Sequence, residues 1–533
     1  MQGVEKQDGF LSVDVVAPGL VGSDTVFGFL AANRAKVFPP QVVDPMFSER
    51  ARAGQPSVPG PVMLSALVLQ ALQGVSDRGA AEALAYDLRW KAACGIGVDE
   101  WAWHPTTFTV WRNRIAKSAH PGLVFDAVAK IIAESGALTG RRRRVVDSTV
   151  VDDAVARQDA FTLLVWQIAK IGEVMPQLAE RIDGLPGGVW YRDRVKPDID
   201  WTSRQAKNDL VSVLVNDALT VEQWANDVVD RMADGDDHKA ALEDQVGLLG
   251  VLAGQDVEPA PGSDGTDGRW RIARRTAPDR VISVVDPQAR HIRKTTQNKH
   301  DGFKAHMVAE PDTGLVASVG VSSGCGEGSS DTVNAISLLT ADSDAVLAGV
   351  DEVQGDSAYA TTAMLAVLDA RGVEAVVKPR PLPTPVPGGY SLDDFMVDTA
   401  HDTITCPAGH TTSRDSRGRA TFARWCESCP MKPRCTNARK GRVVVIGDTQ
   451  LRLRRHRQKA RGPGFAERLR AHRPMAERSL AWLTRPGRRT PYRGITKTSA
   501  WFSLRAAAVN LKRLTNLGLT LHPEQGWMLN PVG

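Results

Sequence analysis

The chain has 533 residues, of which 42% are hydrophobic and 24% charged, and its formal net charge is +5 at pH 7. A chain of this length and composition can bury more than one hydrophobic core, so we expect two to four domains. No segment approaches the roughly 20 consecutive apolar residues that a membrane helix needs, and no basic start followed by an apolar signal core opens the chain. We therefore expect a soluble, cytoplasmic protein with no membrane partner.

Residues 1–138 are predicted to form an all-helical N-terminal domain. The segment 61–73 is apolar nearly all round, which indicates a buried helix. A second helix is predicted from Asp77 to about Ala93. Thr106 or Thr107 can cap a third.

The third helix has a basic face. Its apolar residues recur at helical spacing and are predicted to face the core, while its basic residues face solvent. The inward set is Phe108, Trp111 and Ile115, and the outward set is Arg112, Arg114 and Lys117. A short basic helix after two packing helices is typical of a helix-turn-helix unit that contacts DNA phosphates and major-groove edges, which makes Arg112 and Arg114 candidate DNA contacts. An ordinary helical bundle with a charged exterior is the alternative.

Residues 139–154 and 286–380 show the alternation of an α/β core. An apolar run, predicted as a strand, ends at Asp147, and two further strands are predicted at 303–310 and 315–322. A helix from Asp331 to about Thr340, a strand ending at Asp356, a helix at 361–370 and a strand at 373–378 follow. This is the order of a ribonuclease H-like core, a mixed sheet with flanking helices, and sites in open α/β sheets gather at strand ends.

The segment 155–285 interrupts this core. It is predicted to be mostly helical, with an acidic stretch from Asp227 to Asp244. Acidic helices can shield a basic DNA channel or support self-association, and a plain solvated insertion is the alternative.

Four of the six cysteines lie close together in a second insertion, at 381–450. They are Cys406, Cys426, Cys429 and Cys435. A Cys-x2-Cys pair flanked by two more cysteines suits a structural Zn²⁺ held by four thiolates. Reduced unpaired thiols and redox pairing are the alternatives, and Cys94 and Cys325 are isolated.

Residues 451–520 are strongly basic and are expected to complete the core, followed by a tail at 521–533. Between Arg452 and Lys497 there are 15 lysines and arginines but only two acidic residues. Such a segment suits a polyanion, because each neutralised phosphate releases counterions. A solvated basic face is the alternative, although solvated faces usually mix both signs. The expected DNA contacts are Arg470, Arg473, Arg485, Arg493 and Lys497.

Glu477 lies at the edge of an apolar helical stripe inside this basic segment. Pro474 either kinks the helix or begins it, and in both cases the glutamate can face the sheet. The alternative is an amphipathic helix in which Glu477 only pairs with Arg473.

Asp147, Asp356 and Glu477 would form a metal site if the fold brings them together. Mg²⁺ binds through a few carboxylates and completes its shell with water and phosphate oxygens. Two such ions, roughly 3.5–4 Å apart, can stabilise both the attacking and the leaving oxygen of a phosphoryl displacement. Three carboxylates therefore suggest phosphodiester chemistry with two Mg²⁺ or Mn²⁺ ions. Each aspartate taken alone could be only a turn or cap residue.

Several segments resemble those of the DDE transposases of bacterial insertion sequences and occur in the same order along the chain. The resemblance runs from about residue 20 to residue 516. The segments are Ser76-Asp77-Arg78 with Trp90, Val146-Asp147-Ser148-Thr149, Asp286-Pro287-Gln288-Ala289-Arg290 running into Lys294 and His300 to His306, Gly355-Asp356-Ser357-Ala358-Tyr359, Arg473-Pro474-Met475-Ala476-Glu477, Tyr492-Arg493-Gly494, and Asn510-Leu511-Lys512-Arg513-Leu514.

The resemblance implies that Asp147, Asp356 and Glu477 are the metal-binding catalytic triad of an enzyme that cuts element ends and joins them to target DNA. It also implies that Arg473 contacts backbone phosphate and that the enzyme works on double-stranded DNA as a homo-oligomer that synapses two ends. Two family positions differ here. Arg470 stands where a tyrosine is usual, and Thr484, with Arg485 beside it, stands where a lysine is usual.

Two other functions fit parts of the sequence. A catalytically inactive DNA-binding relative would keep the basic surface and the cysteine cluster. A ribonuclease H-like nuclease without strand transfer fits the core, but it leaves the helical front domain without a purpose.

Overall fold

The structure is a computed structural model, and it describes residues 3, 11–47, 56–233, 235–236, 238–293, 297–341 and 345–530. Lys294, which belongs to one of the segments that carry the resemblance, lies outside the described residues.

Helices dominate the first half of the described chain and recur at its end. The helices before residue 140 are α1 (Val13–Val16), α2 (Val26–Val37), α3 (Gly60–Gln73), α4 (Asp77–Tyr86), α5 (Leu88–Cys94), α6 (Thr106–Lys117) and α7 (Leu123–Glu134). Those between 155 and 285 are α8 (Ala160–Val174), α9 (Ala179–Asp183), α10 (Gly188–Asp193), α11 (Arg204–Val229) and α12 (Lys239–Gln255). The later ones are α13 (Asp331–Leu339), α14 (Thr362–Asp369), α15 (Ala423–Cys426), α16 (Lys432–Cys435), α17 (Asp448–Ala460), α18 (Phe465–Thr484) and α19 (Ile495–Asn516). None of these described helices is long and apolar enough to cross a membrane.

The strands form one large sheet and several small ones. The large sheet contains β1 (Arg143–Asp152), β4 (Arg290–Arg293), β5 (Lys299–Ala309), β6 (Val316–Ser323), β7 (Glu352–Gly355) and β8 (Glu374–Val377). The small sheets contain β2 (Val257–Pro259) with β3 (Trp270–Ile272), β9 (Met396–Asp398) with β10 (Thr403–Thr405) and β11 (Thr411–Ser413), β12 (Arg419–Thr421) with β13 (Val443–Val445), and β14 (Leu519–His522) with β15 (Gly526–Leu529).

The large sheet is mixed, and β1 lies at its centre. β1 is antiparallel to β5 on one side and parallel to β7 on the other, and β8 continues the sheet in parallel beyond β7. β4 and β6 pair with successive parts of β5. The strands and helices expected between 303 and 378 are all present, so the predicted mixed α/β sheet with flanking helices is confirmed. This arrangement is compatible with a ribonuclease H-like core.

The prediction that the first strand ends at Asp147 is wrong. β1 continues to Asp152, and Asp147 lies near its middle, opposite Met307 of β5. The strand continues because the apolar pattern resumes after Ser148, where Val150 and Val151 are both buried. Asp147 is therefore held within the strand by its pairing with β5, two residues beyond the last residue that pairs with β7, instead of lying in a turn.

Two predictions about the front helices also differ from the structure. The helix expected from Asp77 to Ala93 is broken at Asp87, whose extended backbone ends α4 and whose side chain caps α5 by accepting a hydrogen bond from the Arg89 N–H at 2.9 Å. Arg112, which was expected to face solvent, is only 13% exposed, because its guanidinium binds Asp77 of α4 and Gln70 of α3. Arg114 is likewise half-buried, with its guanidinium carbon 4.6 Å from the centre of the Phe47 ring.

The main hydrophobic core joins the front helices to the sheet and to the end of the chain. It contains apolar residues of α2–α7, one face of β1, β5 and β6, and apolar residues of α18, α19 and β14–β15. Asn510 of α19 is fully buried, and its amide exchanges two hydrogen bonds of 2.8 Å with the backbone of Val316 at the start of β6. The opposite face of the sheet packs on α13 and α14, and α8–α12 have a core of their own.

Candidate active site

Asp147 and Asp356 project side by side from adjacent parallel strands. The register pairs Val145 of β1 with Gln354 of β7. Each aspartate lies two residues further along, so both side chains leave the same face of the sheet at the same level. Both carboxylates line one shallow depression, which also contains Arg473 of α18.

The electrostatics of Asp147 show how closely the acidic groups approach one another. Burial, with smaller contributions from the charges of Asp356 and Glu477, raises the pKa of Asp147 to about 6. The N–H of Ser148, which donates to the Asp147 carboxylate at 2.8 Å, and the charge of Arg473 act in the opposite direction. The depression is therefore rich in negative charge and poor in compensating positive charge.

Asp356 is held by the turn that follows β7. Its Oδ1 accepts a hydrogen bond from the Ala358 N–H at 2.8 Å, which caps the short turn Ser357–Tyr359. Gly355 precedes it at a point where a Cβ would lie 2.9 Å from both the Tyr359 ring and the Val146 side chain. Only glycine fits this close approach, so the turn that carries Asp356 can pack directly against β1.

Glu477 is not among the residues that line the depression, although its charge acts on Asp147. Its carboxylate is 62% exposed and accepts a hydrogen bond from Arg473 Nε at 3.0 Å. In the ranges that the structure describes, no three Asp, Glu, His or Cys side chains are arranged to hold a metal ion as they stand. The two aspartates are therefore brought together, whereas Glu477 is close enough to influence them but is turned toward its arginine.

The helix that bears Glu477 runs unbroken from Phe465 to Thr484, with Pro474 inside it. Pro474 therefore does not begin the helix. Ala476, Leu480 and Leu483 are buried against the main core, and Ala476 also lines the depression beside Arg473, so the packed face of the helix is the one next to the aspartates.

The other basic residues predicted to contact DNA divide into two groups. Arg470, Arg485 and Arg493 are exposed, and Lys497 is half-buried on α19. Arg470 also forms an exposed ion pair with Glu467 at 3.2 Å. Arg112 and Arg114 are packed against the protein itself, so of the predicted contacts the C-terminal ones are the more accessible.

The four clustered cysteines line a single pocket in the insertion, together with His410 and Trp425. None of the four is joined to another cysteine. Burial raises the pKa of the Cys435 thiol, and the other three thiols are near enough to raise this pKa further.

Two family models match the chain. One, a transposase DDE domain, matches residues 405–515, and the other, a transposase domain (DUF772), matches residues 31–114. Both models describe transposase domains, and the two matches support a DDE transposase of an insertion sequence. No curated protein and no solved structure matches it.

The two matches cover different parts of the chain. The DDE-domain match contains the cysteine cluster, α18 with Glu477, and most of α19, and the other match contains α3–α5 and most of α6. Asp147 and Asp356 lie between the two matches. Their placement on adjacent strands is therefore independent of the matched regions.

Sequence reasoning missed the residue that fastens α18 to the sheet. Arg468 donates to Glu374 of β8 at 2.8 and 3.0 Å and to Glu352 of β7 at 3.0 Å. Arg468 lies nine residues before Glu477 on the same helix, so this contact sets the position of the glutamate over the strands. In the sequence, Glu352 and Glu374 are single acidic residues at the starts of two strands. No sequence pattern links them to an arginine about a hundred residues later.

Proposed function

We propose that this transposase binds the ends of its insertion sequence and cuts and rejoins DNA phosphodiesters at a centre formed by Asp147, Asp356 and Glu477. The observation that carries the proposal is the placement of two aspartates side by side on parallel strands, beneath the helix that bears Arg473 and Glu477. A general fold likeness would not suffice, because function depends on the site rather than on the fold.

The donor set suits hard divalent cations. Asp147, Asp356 and Glu477 would hold two Mg²⁺ or Mn²⁺ ions, which favour carboxylate oxygens. The raised pKa of Asp147 fits this assignment, because its carboxyl is buried beside two further acidic groups with one arginine to offset them. When bound, such ions would supply charge stabilisation to the attacking and leaving oxygens of the phosphodiester.

Glu477 must turn away from Arg473 to join the aspartates. Both side chains are exposed, and an exposed ion pair contributes at most about 1 kcal/mol, so little opposes this rotation. Arg473 would then be released to bind a backbone phosphate, for which its guanidinium is suited. The pair therefore supports a role for Arg473 in positioning the DNA strand next to the carboxylates.

The exposed basic residues extend the same surface. Arg470, Arg485 and Arg493 would bind phosphates of the element end or of the target, and Lys497 would support them from α19. Cutting and joining two ends requires them to be held together, so we propose a homo-oligomer on double-stranded DNA, acting at the bacterial nucleoid.

The test uses the purified full chain with labelled DNA from the inverted repeats that border its gene. End cleavage and joining to a target plasmid in Mg²⁺ or Mn²⁺, absent with EDTA, are expected. Asp356→Asn should abolish both steps, whereas Asp369→Asn, an exposed acid on α14, should not.

Two other results would replace the proposal. Specific binding without cleavage would identify a catalytically inactive DNA-binding relative, a function that the Arg473–Glu477 pair favours as it stands. Equal cutting of unrelated DNA without joining would identify a ribonuclease H-like nuclease.

A further inference from the structure

The four clustered cysteines reach one pocket from separate parts of the insertion at 381–450. Cys406 follows β10 and begins a tight turn, closed by the Gly409 N–H donating to the Cys406 carbonyl at 2.9 Å. Cys426 and Cys435 end the short helices α15 and α16, and Cys429 lies between these helices. A turn after a strand and a helical Cys-x2-Cys segment are elements from which tetrahedral thiolate sites are built.

The surroundings of Cys426 are organised around its sulfur. The backbone N–H of Arg442 donates to Cys426 Sγ at 3.4 Å. At Gly441 a Cβ would lie 2.8 Å from the Cys426 Cβ and 3.2 Å from its sulfur, so the backbone leading into β13 packs directly on this cysteine. N–H groups directed at sulfur are the contacts that orient metal-bound thiolates.

A buried cation lies beside these thiols, with its guanidinium carbon 5.7 Å from the centre of the Phe395 ring. Arg442 is more than nine-tenths buried, and its Nε has no hydrogen-bond partner. A buried, unsatisfied charged group is costly unless an opposite charge compensates it. Four thiolates around one divalent cation carry a net negative charge, which would neutralise this guanidinium.

The insertion has little else to hold it together. Its strands are three residues long, its helices α15 and α16 are four residues long, and its core has eight buried residues, of which two are Cys426 and Cys435. A unit of about 70 residues with so small a core usually needs a disulfide or a metal. Because none of the four cysteines is joined to another, a metal is the remaining candidate.

We propose that Cys406, Cys426, Cys429 and Cys435 bind one structural Zn²⁺ as thiolates. On binding, each thiol gives up its proton to solvent and each sulfur donates an electron pair to the ion. Within the described ranges the sulfurs do not yet stand in a ligating arrangement, so the ion must draw them inward. Cys406 and Cys429 are half-buried and lie outside regular helices and strands, which allows this adjustment. Four protein ligands leave no open position, so the ion is not catalytic.

His410 also lines the pocket, but we assign it no bond to the metal. Its ring stacks on Trp425, with 5.7 Å between centroids and 11° between planes. His410→Phe should therefore keep the zinc.

Zinc would stabilise the position of α18, the helix that bears Glu477, through α17, which directly follows the insertion. Arg454 of α17 donates to the Asp393 carbonyl at 2.9 Å, and Arg457 holds the Asp393 carboxylate at 2.7 and 2.9 Å. Asp393 lies at the start of the insertion, so an ordered insertion fixes α17, and α17 leads directly into α18.

The experiment measures zinc in the full chain purified without chelators. About one zinc per chain is expected, falling at least tenfold in Cys429→Ser and unchanged in the matched variant Cys325→Ser, whose cysteine lies outside the cluster. Replacing zinc by Co²⁺ in the unaltered chain should give the intense thiolate charge-transfer and tetrahedral d–d absorption bands. This second measurement requires no variant to fold.

Either of two results would overturn the proposal. One is a chain that carries no zinc and shows no such absorption on Co²⁺ titration. The other is a mass, measured without reductant, that reveals a disulfide among the four cysteines. Neither readout depends on DNA cleavage, so failure of the zinc site is distinguishable from failure of the transposase activity.

Discussion

Arg473 donates a hydrogen bond to Glu477 at 3.0 Å, one turn along the same helix, beside a depression that Asp147 and Asp356 line together. Arg473 also lines this depression, whereas Glu477 does not. In this state Glu477 is bound to Arg473 and not to a metal ion. Binding of a cation at the aspartates, or of a phosphate at Arg473, is expected to break the Arg473–Glu477 pair.

Glu477→Gln should abolish end cleavage without weakening end binding. The amide keeps the shape of the side chain but loses the charge that a divalent cation requires. Loss of an outer-shell partner of a metal typically costs 10–100-fold, so loss of a ligand should cost at least about a hundredfold in cleavage rate. The measurement is single-turnover cleavage beside a binding titration, with Glu467→Gln on the exposed side of the same helix as the control. A variant that still cleaves at the normal rate would remove Glu477 from the centre.

Arg485→Ala and Arg493→Ala should weaken DNA binding and lower its salt dependence. Each exposed arginine that neutralises a phosphate contributes about one unit to the slope of log affinity against log salt. Arg112→Met should leave this slope unchanged, because Arg112 is engaged with Asp77 and Gln70. The measurement is a series of DNA-binding titrations over a range of salt concentrations. A smaller slope of log affinity against log salt in Arg112→Met would support the predicted role of α6 in binding DNA.

Arg468 should stabilise the docking of α18 in a pH-dependent way. Its hydrogen bond to Glu374, with a further contribution from Lys459, lowers the pKa of that carboxyl from 4.5 to about 2. A lowered folded-state pKa contributes stability that is fully present above the unfolded value and is lost as pH falls from about 4.5 toward 2. Because Arg468 is 37% exposed, we expect only about 1–2 kcal/mol.

The measurement compares denaturant midpoints of the unaltered chain and Glu374→Gln at several pH values. The difference should be largest near neutral pH and should shrink as the pH falls from about 4.5 toward 2 and the carboxylate is protonated. A difference that does not change over this range would mean that the ion pair contributes nothing to stability.

Asn510→Ala should destabilise the main core. The Asn510 amide satisfies both backbone groups of Val316 in a fully buried position, and its removal leaves them without partners. Such a loss costs about 2–3 kcal/mol. Thermal unfolding checks this, and Asn516→Ala, at the end of the same helix, is the matched control. An unchanged midpoint would show that solvent reaches these groups.

The sequence predicted the parts of the fold that depend on local pattern. Alternating and continuous apolar runs identified the core strands, and the turn after β7 was marked by Gly355 and Asp356. Both aspartates were expected at strand ends, whereas Asp147 lies inside β1 and Asp356 one residue beyond β7, at equivalent positions of adjacent parallel strands.

Contacts between distant segments could not be predicted. The break at Asp87 depends on a capping bond that competes with a helix-forming sequence on both sides. The burial of Arg112 depends on Asp77, 35 residues earlier, and the orientation of α18 depends on Arg468 meeting β7 and β8. Glu477 pairs with Arg473 because they are one turn apart, which sequence alone left as one of two alternatives.

The shared core has a consequence for the order of folding. The ring of Phe29 on α2 lies 5.7 Å from that of Trp527 on β15, and α3 packs on α19. During synthesis the front helices therefore emerge long before the surface that covers them is made. The surface of α3 that packs on α19 therefore stays uncovered until nearly five hundred residues have been synthesised, and the main core can be completed only after that.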